Sequence, residues 1–111
     1  MARMEKSRRL YGAVSASERH QRLGQYYTFL WNDPTGVGQA PVEAVFEYQQ
    51  GATASMIKRH KVSFPASQSH GKAEFQVIGD DYFKGGRVLA WRATLRRGSR
   101  VISSQRSYLW Q

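Results

Sequence analysis

The chain has 111 residues and a mass of 12.7 kDa, which is enough for one small domain around a single core. It carries 17 Lys and Arg against 8 Asp and Glu, a net charge of +9, with 41% hydrophobic and 13% aromatic residues. That balance excludes a disordered chain, and the absence of cysteine excludes disulfides, thiolate zinc sites and cysteine nucleophiles.

In chain order, residues 1–22 are expected to form a basic tail, flexible or with a short helix, ahead of one domain over residues 23–111. Ser15 and Glu18 stand at capping-box spacing and Gly24 suits a helix stop. Arg9–Val14 (RLYGAV) is the weakest strand candidate. The segment MARMEKSRRLYGAVSASERHQR has no apolar run of the secretory kind. Its Arg and Ser content partly fits a mitochondrial presequence, against which stand Glu5 and Glu18; the end of a longer chain is the alternative. No stretch of about 18 apolar residues occurs, so no membrane-crossing helix is expected.

Beyond residue 22, Gly and Pro cut the chain into short segments that alternate with period two. Gln25–Asn32 puts Tyr27, Phe29 and Trp31 on one face, and Val42–Gln50 puts Val42, Ala44, Phe46 and Tyr48 on one face. Ser55–Phe64 places Met56, Val62 and Phe64 on one parity together with Lys58 and His60, the inward charge of an edge strand. Ala73–Ile78 offers Ala73, Phe75 and Val77.

The last two segments predict a hairpin closed by Gly98-Ser99, with Gly98 at positive φ. Pairing Arg97 with Arg100 then aligns Arg96 with Val101, Leu95 with Ile102, Ala93 with Ser104, Trp91 with Arg106 and Leu89 with Tyr108. In that register Arg106 stacks on Trp91. Six or seven such strands predict an all-β fold, an immunoglobulin-like antiparallel sandwich. An OB-type barrel would place a helix between its third and fourth strands, where the sequence shows none.

YTFLWNDPTG (Tyr27–Gly36), VEAVFEYQQ (Val42–Gln50) and VLAWRATLRRGSRVISSQRSYLW (Val88–Trp110) together resemble a fibronectin type III or related immunoglobulin-like domain. They are similar, in order, to that family's second strand with its core tryptophan, its third strand and its final hairpin. The resemblance covers roughly residues 25 to 110 and implies the same sandwich. IGDDYFKGGRVLAW departs from it, lacking the proline and threonine of the family's Leu-x-Pro-x-Thr-x-Tyr corner. No Arg-Gly-Asp is present, so no adhesive role carries over.

The chemistry-bearing residues do not gather into a motif. His20, His60 and His70 lack metal-ligand spacing, no G-x-S-x-G elbow occurs, and the glycines form neither GxGxxG nor a P-loop. Asp80 and Asp81 raise the question of a bound cation, but neighbours on extended backbone point apart; the expectation is a turn closed by Gly85-Gly86. Neither catalysis, a metal nor a cofactor is expected.

Charge is the remaining functional signal, and it is unevenly placed. Residues 1–22 carry +4, residues 23–81 carry −2, and residues 82–111 carry +7 with no carboxylate. The expectation is a non-catalytic binding or structural module whose basic hairpin, through Arg92, Arg96, Arg97, Arg100 and Arg106, contacts an acidic protein partner or anionic surface. A nucleic-acid-binding role for the same arginine patch is the alternative.

Overall fold

The computed structural model describes residues 3–7, 22–53 and 55–110. They form seven strands: β1 (Arg3–Ser7), β2 (Gly24–Asn32), β3 (Val42–Gln50), β4 (Lys58–Phe64), β5 (His70–Ile78), β6 (Val88–Arg97) and β7 (Arg100–Arg106). The strands pair antiparallel in two sheets, β1-β2-β5 and β4-β3-β6-β7. One short helix, α1 (Gly79–Gly85), joins β5 to β6. The fold is thus all-β in character.

Alternation along each strand decides which side chains meet. Tyr27, Phe29 and Trp31 of β2, Ala73, Phe75 and Val77 of β5, and Val42, Ala44, Phe46 and Tyr48 of β3 are all buried. Phe46 is completely buried, and its ring lies 4.7 Å from Tyr27, 5.2 Å from Phe75 and 6.0 Å from Trp91, so aromatics of both sheets meet in one core. Each such ring pair adds about 0.5–1.5 kcal/mol beyond the burial of its area.

The structure departs from the sequence expectations at four places. The first strand is Arg3–Ser7, inside the segment read as a tail, whereas Arg9–Val14 and the capping-box stretch lie outside the described residues. The fourth strand starts at Lys58, which leaves Met56 more than half exposed ahead of it.

The third departure is at Gly79–Gly85, expected as a turn, which is a helix. Asp80 and Asp81 in its first turn and Lys84 in its last complement the helix dipole. Gly86, at φ 84°, closes it by donating its N–H to the Tyr82 carbonyl at 2.8 Å. Two buried glutamines hold α1 and the start of β6 in place. Gln50 Nε2 donates to the Asp81 and Gly86 carbonyls, both at 2.9 Å, and Gln25 Oε1 accepts from the Val88 N–H at 2.7 Å.

The fourth departure is in the final hairpin. Gly98 takes φ 59°, and Arg97–Arg100 and Arg96–Val101 pair as expected. A bulge between Leu95 and Arg96 then shifts the register by one, pairing Leu95 with Ser103, Thr94 with Ser104 and Arg92 with Arg106. A one-residue slip moves every following side chain to the other face. Arg106 therefore stands beside Arg92 and not on Trp91, whose ring faces Tyr27, Phe29 and Phe46.

Candidate functional site

The five arginines expected to share one surface divide between two environments. Arg97 has the parity of Ala93 and Leu95, and its side chain is completely buried. Its guanidinium donates to Asp33 Oδ2 at 2.9 Å, to the Ala40 and Ala66 carbonyls at 3.0 Å each, and to the Gln68 carbonyl at 2.9 Å. It thereby ties the β2–β3 loop, the β4–β5 loop and the tip of the last hairpin together. Arg100 reaches the same Asp33 Oδ2 at 2.8 Å. Burial pushes the Asp33 carboxyl up, but the hydrogen bonds and charges of Arg97 and Arg100 outweigh it and hold the carboxyl below its ordinary value. These two arginines, placed opposite each other across the hairpin, are reconciled by one carboxylate.

The other three, Arg92, Arg96 and Arg106, belong to the outer face of the four-stranded sheet, which the bulge completes by bringing Arg106 into line. β4 adds Arg59 and Lys61, and β3 adds Glu43 and Glu47. An open groove of about 480 Å³ runs over this face, floored by Val45 and Thr94 and flanked by Lys61, Arg96 and Val101. Its charges are only partly matched. Glu47, 6% exposed, accepts from Arg59 on one oxygen at 2.9 Å and from Arg92 on the other at 2.7 and 3.0 Å. Burial raises the Glu47 carboxyl, yet those two guanidiniums bring it below its usual value.

Arg92 also covers the ring of the buried Trp110 at 5.3 Å, which places that tryptophan outside the core. By contrast, no carboxylate among the described residues lies within ion-pair distance of Lys61, Arg96 or Arg106. Glu43 is the register partner of Arg96 without closing an ion pair to it.

A second polar cluster sits at the opposite edge of the sheet, over the inward parity of β4. The Tyr48 hydroxyl donates to Asp81 Oδ2 at 2.7 Å and lies 3.0 Å from His60 Nε2, while Lys58 pairs with Asp81 Oδ1. The single phenol proton is given to Asp81, so the His60 contact requires its Nε2–H to donate into the phenol oxygen. Burial, then the hydrogen bond and charge of Asp81, push the Tyr48 hydroxyl far above its ordinary value and keep it a phenol at every physiological pH. Asp81 is held below its ordinary value because Lys58 and Tyr48 outweigh its burial. Both of its oxygens are engaged by Lys58 and Tyr48, and no group of three metal-ligating side chains forms among the described residues. Lys58 and His60, the inward-facing polar pair expected on an edge strand, thus find their partners in Asp81 and Tyr48.

Sequence reasoning missed the role of Asp33 and the burial of Arg97. The parity of Arg97 with Leu95 was the signal that separates it from the surface arginines. No helix among the described residues is long and apolar enough to cross a membrane. Compared with known families, with curated proteins and with solved structures, the chain matches none.

Proposed function

We propose that the chain is an immunoglobulin-like sandwich acting as a non-catalytic binding module, and that it holds an acidic protein partner on the outer face of the β4-β3-β6-β7 sheet. The first, second and fifth strands pair together while the third and sixth form the centre of the other sheet with the fourth and seventh at its edges, an exchange of strands between sheets that suits the sandwich. The observation carrying the binding role is the unmatched triad Lys61, Arg96 and Arg106 on a face whose other cations, Arg59 and Arg92, are already paired with Glu47. Unpaired cations around a shallow groove attract and orient an anionic protein surface.

Nucleic acid is the less favoured ligand for this face. Single strands bind by stacking bases on exposed aromatic rings. Here no aromatic ring lines the groove, and the exposed rings of Tyr108 and Phe83 stand outside it, beyond the end of β7 and on α1. Titrating the chain with a ten-residue acidic peptide and with a single-stranded oligonucleotide, each at two salt concentrations, tests the choice. The reading expects salt-dependent peptide binding that exceeds oligonucleotide binding. Tighter oligonucleotide binding, or no peptide binding at low salt, would overturn it.

A further inference from the structure

The four-stranded sheet has two edges, and they are defended unequally. β4 carries Lys58, Arg59, His60 and Lys61 in succession, with Lys58 and His60 turned inward onto Asp81 and Tyr48. Inward charge on an edge strand opposes pairing with another chain. β7 confines its charge to its ends, Arg100 and Arg106, with the neutral stretch Val101-Ile102-Ser103-Ser104-Gln105 between them. Most of it is exposed, and among the described residues it pairs with β6 alone. The bulge leaves a regular ladder from Ser103 to Arg106.

The charges also say what fits there. A second copy pairing antiparallel about Ser103 would set Arg100 against Arg106 at both ends, and like charges directly opposite are destabilising. An acidic strand meets the reverse situation. Its alternate side chains would lie on the outer face beside Arg106, with Arg96 one strand further in, and the intervening ones beside the half-buried Ile102 on the core side.

We infer that β7 is a docking edge, where an extended segment of the acidic partner, alternating carboxylate and apolar residues, adds as a further strand to the sheet. The inference rests on the acidic-partner reading and adds to it a backbone-paired mode of recognition.

Strand addition makes a demand that charge attraction does not, because only one parity of the incoming strand's N–H groups faces β7. The probe is a ten-residue peptide alternating Glu and Val, compared with two analogues N-methylated on every Glu or on every Val. All three carry the same charge. The inference expects the parent peptide to bind and to slow amide hydrogen exchange in β7 at least tenfold. It expects one methylated analogue to lose at least tenfold in affinity while the other retains it. If both analogues bind like the parent, with NMR shifts centred on Lys61 and Arg96 and no protection of β7, strand addition is wrong and the acidic-face reading stands. If the parent does not bind at low salt, both fail.

Discussion

Asp33 and Arg97 are 64 residues apart in the chain, yet their side chains meet at 2.9 Å with at most 7% exposure on either side. A buried ion pair of this kind contributes little relative to a well-packed apolar pair, but removing one partner strands the other charge away from water. The pair is therefore a constraint on geometry: it fixes where two loops and the hairpin tip sit, and hence how the outer face of the sheet is presented.

Asp33→Ala and Arg97→Ala are each expected to cost about 3–5 kcal/mol of stability, read as a fall in the urea midpoint. Arg97→Lys is expected to recover only part of that, because an ammonium group cannot reach Asp33 and three separate carbonyls in the planar fork that Arg97 uses. A loss below about 1 kcal/mol for Arg97→Ala would show that the network is dispensable.

Gly36 leaves the space that this network occupies. A β-carbon there would stand 2.2 Å from Asp33 Oδ2 and 2.6 Å from both Arg97 Nε and an Arg100 nitrogen. Gly36→Ala must push the carboxylate off its partners, with an expected loss of about 1–3 kcal/mol in the same unfolding measurement. An unchanged midpoint would mean that the loop shifts without disturbing the ion pair.

Acid should unfold the chain through three carboxylates. Asp33 and Asp81 are held below an ordinary value of 3.8, and Glu47 below 4.5. The unfolded chain binds their protons more readily than the native one, so their stabilisation is complete above those ordinary values. It is lost as pH falls through them and then through the lower native values. Urea midpoints are expected to be flat from about pH 7 to pH 5 and to drop below about pH 4, with a shallower drop in Asp33→Asn. A midpoint that rises on acidification would contradict these pairings.

Tyr48→Phe keeps the ring against Phe46, 5.5 Å away, and removes only the hydroxyl between His60 and Asp81. The expected cost is about 1–2 kcal/mol, since Asp81 retains Lys58. If Tyr48→Phe and Asp81→Ala were fully additive, the two residues would not be coupled.

The strands were legible because half-buried sheets impose period two, and β3 and the hairpin tip lie where that pattern puts them. The bulge was not, because Ile102 and Ser103 are each acceptable on either face and composition leaves no mark of an extra residue. α1 was hidden by Gly79, Gly85 and Gly86, which read as turn residues until Gln50 supplies the tertiary contacts that hold a seven-residue helix. Charge counting placed the positive pole in the last hairpin correctly by sequence, yet could not tell a solvated arginine from Arg97. Only parity against Leu95 and a distant Asp33 distinguish them.

The central claim, that Lys61, Arg96 and Arg106 hold an acidic partner, is tested most directly by calorimetric titration of the alternating Glu-Val peptide. The native chain is compared with a Lys61→Ala, Arg96→Ala, Arg106→Ala triple variant. All three side chains are exposed and without ion pairs among the described residues, so thermal stability should change little. The account predicts at least a tenfold loss of affinity at low salt, shrinking as salt rises. Equal affinity of the variant and the native chain would contradict it.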